Sequence, residues 1–227
     1  MGAVILLGGY VFDRVAEGEL HLLKQLRDSL TRSNDRIAIV AGGGKVARKY
    51  ISIIDRLGGN NYLKDEVGIL ATRINAQLVV AALGEIAFPK VVRSYDEALE
   101  AFSLGLIPVS GGMTPAQSTD AVASIMAERL SLDLLVKVTA TDGIYEKDPI
   151  KYQDSTRYDR LTYDQFEEIL MRQRYEPGRY ELFDLLALKV IKRSKIRLII
   201  TKGDRLDKLS ELLDGDPKGL GSLVEGG

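Results

Sequence analysis

Residues 4–12 read VILLGGYVF: four aliphatic residues run into Gly8-Gly9 and then Tyr10. A buried strand ending on a glycine pair leaves backbone amides bare at its carboxyl end, where open α/β sheets receive phosphate. The alternative is a tight turn, and the rest of the chain decides between them.

Short β-branched runs recur at residues 3–7, 36–41, 88–92, 107–110, 133–139 and 196–201. Between them lie amphipathic segments. Residues 17–31 place Leu20, Leu23, Leu26 and Leu30 at helical spacing, and residues 65–83 carry Ile69, Ile74, Leu78 and Val79. Residues 118–130 and 182–193 read the same way. Apolar strands alternating with helices predict an α/β fold with a mainly parallel sheet covered on both faces. Ligands of such sheets sit beyond the carboxyl ends of the strands. Gly8-Gly9 follows the first strand, Gly42-Gly43-Gly44 the second, Gly111-Gly112 the fourth, and Thr139-Ala140-Thr141-Asp142-Gly143 the fifth. One such end reads as a turn. Four in one sheet point to a phosphate-rich ligand.

Composition narrows the chemistry. The 227 residues carry a net charge of −1, so no global basic field points to nucleic acid. There is no cysteine, which excludes disulfides and thiolate chemistry, and the single histidine excludes a His-rich metal cage. Neither a basic, apolar leader nor a run of about 20 apolar residues stands out, so a soluble cytoplasmic protein without membrane contact is expected. G-x-x-x-x-G-K-[ST] and G-x-G-x-x-G are both absent.

In AGGGKVARKY (41–50) three glycines precede a helix whose free amides and dipole favour an anion. Arg48, one turn in, could fork onto phosphate oxygens, whereas Lys45 and Lys49 read as solvated charges. KDEVGILATRINA (64–76) opens a mostly apolar helix with Asp65 in its first turn. That carboxylate either supports the helix N-terminus, at about 0.3–1 kcal/mol, or accepts sugar hydroxyls. Arg73 and Asn75 interrupt the same helix and are expected to face a subunit partner. SGGMTPAQSTDAVA (110–123) sets Ser118-Thr119-Asp120 before a helix. Thr119 and Asp120 could hold a ligand hydroxyl and a Mg²⁺-linked phosphate, and Ser118 or Thr119 would also cap the helix. TATDGIYEKDP (139–149) reads as a turn with Tyr145 two residues beyond Gly143, either a packed tyrosine or a base-stacking one. His21 reads as a structural or surface residue, and no Ser/His/Asp arrangement occurs.

GGGKVARKY, KDEVGILATRINA, the glycine pair with STDAVA, and TDGIYEKDP, in this order, resemble the amino acid kinase superfamily, and within it the archaeal type of uridylate (UMP) kinase. The resemblance spans nearly the whole chain. It implies a three-layer α/β/α sandwich, with an acceptor half over about residues 1–130 and an ATP half over about 131–227 of one domain. It implies transfer of the γ-phosphoryl group of MgATP to UMP in pyrimidine nucleotide biosynthesis, and a homohexamer built as a trimer of dimers. By this resemblance Gly43 and Asp65 contact UMP, and Met113, Thr114, Pro115, Ala116, Gln117, Ser118 and Thr119 surround its uracil and phosphate. Gly8, Gly9, Tyr10, Gly44 and Arg48 lie at the ATP phosphates, and Thr139, Tyr145 and Asp148 at the nucleotide. Asp120 is expected to organise Mg²⁺ or the transferring group, with Gly9 and Arg48 as its catalytic companions.

The chain departs from the family pattern at several points. Tyr10 stands where serine is usual, no lysine precedes Gly8, and Ala140 replaces asparagine. Met113, Ala116 and Gln117 alter a T-H-P-G-H run, and Gly219-Leu220 replaces a glycine-threonine pair. Two other readings stay open on these residues: a kinase of the same family with another phosphate or carboxylate acceptor, and a non-catalytic nucleotide- or oxyanion-binding relative.

Overall fold

A computed structural model describes residues 2–147, 149, 151–152, 154–174, 182–204 and 206–227. The first two strands, β1 (Gly2–Leu7) and β2 (Arg36–Ala41), pair in parallel from Gly2↔Arg36 to Leu7↔Ala41. Strand β3 (Val109–Ser110) flanks β2, and β4 (Leu134–Thr139) lies on the other side of β1. A small hairpin of β5 (Ile144–Tyr145) and β6 (Arg157–Tyr158) stands apart from the main sheet. With β7 (Arg160–Thr162), β8 (Arg197–Lys202) and β9 (Gly221–Glu225), the sheet runs in the order β3-β2-β1-β4-β8-β9-β7. Among the described residues of this sheet, only the β8–β9 pairing is antiparallel. The sheet is mainly parallel, as the alternation of strand and helix indicated.

The helices are α1 (Gly9–Ala16), α2 (His21–Thr31), α3 (Gly44–Arg56), α4 (Asn61–Leu83), α5 (Tyr95–Ser103), α6 (Thr119–Arg129), α7 (Tyr163–Arg174), α8 (Leu185–Ser194) and α9 (Leu209–Leu213). Alternate strand residues face opposite layers. Val4, Leu6, Val40, Leu135 and Ile200 pack with Val122, Met126, Phe166, Leu188 and Ile191 of α6, α7 and α8. Ile5, Leu7, Ile39, Val136 and Ile199 pack with Val11, Leu26, Val79 and Leu212 of α1, α2, α4 and α9. The result is the three-layer sandwich.

Several expectations change for identifiable reasons. Residues 88–92 form no strand, because Pro89 has no N–H to give. Only isolated bridges remain there, Ala87↔Ile107 and Val92↔Ser110. The segment 17–31 is broken near Gly18, whose φ is +105°, and Leu20 ends up 58% exposed ahead of α2. Asn60 caps α4 by accepting from the Leu63 amide at 3.0 Å, so the helix starts earlier and Asp65 lies in its second turn. Together with its 3₁₀ extension, α4 (Asn61–Ile86) is also long and apolar enough to cross a membrane by length and composition, contrary to the sequence reading. In this fold one side of it packs on the sheet through Ala76, Val79 and Leu83.

Candidate active site

Register brings the glycine-bearing strand ends to one edge of the sheet. Leu7 pairs with Ala41 and Val138, and Val40 with Ser110, so the segments that follow leave the sheet side by side. There they pack on one another. A Cβ on Gly9 would fall on the backbone N and Cα of Gly44, well inside van der Waals contact. A Cβ on Gly111 would lie 2.5 Å from Thr72 Oγ1 and 2.7 Å from the Thr72 carbonyl carbon of α4. Glycine is needed here for contact between backbones, and the ligand-facing surface is what those contacts leave. The Gly8 amide is not bare, since it donates to the Val138 carbonyl at 2.8 Å. Gly9 and Tyr10 open α1, where the first amides have no carbonyl four residues back.

The N-terminus of α3 already holds an anion. Asp13 Oδ1 accepts from the Lys45 amide at 2.6 Å, and Oδ2 lies 3.6 Å from the Arg48 guanidinium. The helix dipole therefore attracts negative charge as the sequence implied, but the resident charge is a carboxylate from α1. Arg48 is 62% exposed, so most of its guanidinium faces solvent. Lys45 pairs with Glu17 at 3.1 Å on the surface.

Three polar residues of α4 grip the loops. Asn75 Nδ2 donates to the Gly42 carbonyl at 2.7 Å. Thr72 Oγ1 accepts from the Gly112 amide at 2.7 Å. Arg73 donates to the carbonyls of Gly112 and Met113 at 3.2 and 3.4 Å. Arg73 and Asn75 thus point into their own subunit, a correction to the expectation that they face a partner. Asp65 joins the same construction, because its Oδ2 accepts from the Ala116 amide at 2.8 Å. Asp65 and the segment 113–119 are neighbours, which the sequence could only imply by resemblance. Ala116 has φ +63°, a conformation that costs a non-glycine residue roughly 1–2 kcal/mol. Gln117 Oε1 is buried without a hydrogen-bond partner among the described residues.

Asp120, in the first turn of α6, is held by Lys137 of β4: Nζ lies 2.6 Å from Oδ1 and 2.7 Å from the Leu182 carbonyl. Burial pushes the Asp120 carboxyl up, and the Lys137 ammonium opposes that push. Ser118 caps α6 through the Ala121 amide at 3.1 Å and donates to Asp184, which itself caps α8 at the Leu186 amide. Thr119 opens α6 beside these groups. Among the described residues no group of three or more His, Cys, Asp or Glu side chains could hold a metal ion. Both Asp184 oxygens are engaged by protein donors and Asp120 Oδ1 is held by Lys137, so these two carboxylates do not form an open pair for Mg²⁺. Lys137 escaped the sequence reading, although a lysine inside LLVKVT, with buried residues on both sides, was the available signal.

On the opposite half, Thr139 is buried at the end of β4 and its carbonyl accepts from the Gly203 amide at 2.8 Å. The Tyr145 hydroxyl donates to Asp142 at 2.8 Å, and Arg157 donates to the other Asp142 oxygen at 3.2 Å. Burial pushes the Asp142 carboxyl up, but Tyr145 and Arg157 outweigh it and hold the group below the usual range. Asp148 lies outside the described residues. Tyr10 reaches toward Gly203, where an added Cβ would stand 2.9 Å from its ring, and its hydroxyl accepts from Arg14 at 3.3 Å. His21 is an exposed surface residue, as read.

A family model described as Amino acid kinase family matches residues 1–202, and the chain belongs to that family. Its relatives carry a more particular name. Uridylate kinase of Methanothermobacter thermautotrophicus is 39% identical over 218 residues, covering 95% of this chain and 96% of the relative. Uridylate kinase of Sulfolobus acidocaldarius is 38% identical over 225 residues, 99% of each chain. The crystal structure of uridylate kinase from Archaeoglobus fulgidus superposes with a TM-score of 0.86 at 33% identity, over 99% of this chain and 100% of that one. UMP kinase from Bacillus anthracis shares the fold, with a TM-score of 0.78 at 19% identity over 98% of this chain and 95% of that one.

Proposed function

We infer that the protein is a UMP kinase, a nucleoside monophosphate kinase that moves the γ-phosphoryl group of MgATP to UMP. The full-length likeness to uridylate kinases carries this reading. The geometry supports it, because α4 fastens the acceptor segment and the glycine loops to one another at a single strand-end edge.

An oxygen of the UMP phosphate attacks the γ-phosphorus, the bond from that phosphorus to the β,γ-bridging oxygen breaks, and UDP and ADP result. A phosphate monoester is largely ionised at neutral pH, so no general base is required. Catalysis is then positioning plus charge neutralisation. In this assignment Gly43, Asp65 and residues 113–119 hold UMP, with Gln117 Oε1 as an unpaired acceptor suited to a ligand N–H. Gly8, Gly9, Tyr10, Gly44 and Arg48 line the ATP phosphates, Gly8 by fixing the loop, not by donating its amide. Thr139, Tyr145 and Asp148 serve the nucleotide. Bound with ATP, Mg²⁺ would supply charge neutralisation at the phosphates, and among the described residues no cluster of carboxylates or histidines would hold it.

Arg48 must leave Asp13 for phosphate when ATP binds. Its charged hydrogen bonds are of the kind worth about 1.5–3 kcal/mol. Arg48→Ala is expected to lower kcat/KM for ATP about thirtyfold, measured by initial rates. Unchanged kinetics would remove Arg48 from the site.

The assembly is assigned as a homohexamer built from dimers, in the cytoplasm, serving pyrimidine nucleotide biosynthesis. Leu63, Leu70, Ile74 and Leu78 form an exposed apolar strip on α4, and Val46 and Tyr50 of α3 are exposed as well. A second copy facing this strip would explain a helix apolar on two sides. Ile74→Glu, at a position 63% exposed, is therefore expected to yield a smaller species by light scattering while the monomer stays folded. An unaltered mass would place the interface elsewhere.

Initial rates of ADP release with UMP, CMP, AMP, GMP and carboxylate acceptors test the activity. Turnover with UMP above all others is expected, and preference for another acceptor would reassign the substrate.

A further inference from the structure

Lys137 is the only lysine or arginine among the described residues that is fully buried, at 3% exposure. An ammonium taken out of water costs several kcal/mol, and a hydrophobic residue of similar volume in its place is often neutral or stabilising. Stability alone therefore does not account for a lysine in the middle of the strand LLVKVT. Its surroundings are specific. Nζ bonds Asp120 Oδ1 and the Leu182 carbonyl, and it lies 5.3 Å from the centre of the Phe183 ring. In register Lys137 stands beside Leu6 of β1, two residues before the end of β4, on the side covered by α6 and α8. It ties together three pieces: the strand that ends in Thr139, the turn Ser118-Thr119-Asp120 that closes the acceptor segment, and the stretch 182–184 that starts α8. The bond from Ser118 to Asp184 closes the ring.

We propose that Lys137 is a positioning residue for phosphoryl transfer, its buried ammonium locking Asp120 so that Asp120 acts as the lysine's counter-ion and not as a magnesium ligand. The Asp120 oxygen nearest the lysine is spent on it, and the carboxylate is almost enclosed. What the pair contributes is placement, because it fixes the start of α6, and hence Ser118 and Thr119, relative to the strand end. The proposal rests on the kinase reading, since it concerns the geometry of that site.

The test uses the full chain carrying Lys137→Met, Asp120→Asn and both together, with folding checked by circular dichroism and thermal denaturation. For folded Lys137→Met we expect kcat to fall at least about thirtyfold, because small displacements of aligned groups cost that much, while KM for ATP and UMP stays within about threefold. The double variant should be no slower than the slower single variant, as for residues acting as a unit. A folded Lys137→Met with kcat within about threefold of the parent would overturn the proposal, and so would single-variant losses that multiply.

A second readout needs no turnover. Calorimetry of a non-hydrolysable ATP analogue, with and without Mg²⁺, is expected to show the same Mg²⁺ enhancement in Asp120→Asn as in the parent. Loss of that enhancement would make Asp120 a metal ligand and refute the proposal, and this arm decides even if Lys137→Met does not fold. Failure of the parent protein to turn over UMP would instead count against the functional reading, leaving the binding arm to judge whether Asp120 is a metal ligand or the counter-ion of Lys137.

Discussion

Asp120→Ala is expected to destabilise the protein by about 3–5 kcal/mol, the range for removing one partner of a buried ion pair. The Lys137 ammonium would keep the Leu182 carbonyl but lose the one counter-ion it has among the described residues, inside a layer of Val, Leu and Phe side chains. Domains of ordinary stability hold about 5–15 kcal/mol, so this one change removes a large share. Urea denaturation at neutral pH measures it. Adding Lys137→Leu to Asp120→Ala should return most of the loss, because the stranded charge is then gone. A loss below about 1 kcal/mol in the single variant would mean that the pair is solvated and that Asp120 is free for other ligands.

Gly9→Ala should damage activity strongly while harming the fold less than Asp120→Ala does. The new methyl meets the backbone of Gly44, and Gly44 cannot retreat easily because the next amide, that of Lys45, is held by Asp13 Oδ1 at 2.6 Å. The loops after β1 and β2 must separate by an ångström or more. Displacements of that size cost on the order of a hundredfold in rate, whereas overpacking costs roughly 1–3 kcal/mol of stability. Initial rates and denaturation on the same preparation separate the two effects. Full activity in Gly9→Ala would show that close contact between these loops is not what positions the phosphates.

Much of the architecture is legible in the residues. The run 36–41 coincides with β2, and the ends of β1, β3 and β4 fall within two residues of their expected places. Apolar strands alternating with helices left little room for any other class of sheet. The exceptions have local causes, with Pro89 and Pro108 shortening the pairing beside β3 and Gly18 dividing α1 from α2. Strand β9 was hidden because a five-residue run, GSLVE, flanked by glycine carries little pattern of its own.

The candidate site was half legible. Glycine runs and the STD turn mark where the chain must be special, and the fold brings them to one edge. Their partners could not be read, because those partners come from elsewhere in the chain. Asp13 reaches the start of α3 across 32 residues, Asp65 meets Ala116 across 51, and Ser118 meets Asp184 across 66. The VILLGGYVF stretch shows the difference. Its glycine pair does end a strand, yet the Gly8 amide is spent on β4 and Tyr10 leans on the loop after β8.

The central claim, transfer from ATP to UMP, is tested most directly by following the phosphoryl group itself. ATP labelled at the γ-phosphate is mixed with UMP and stoichiometric enzyme, and the products are separated after a single turnover. The account predicts that the label appears in the β-phosphate of UDP, with unlabelled ADP in equal amount. Label left in ATP, or released as inorganic phosphate while UMP is unchanged, would contradict it.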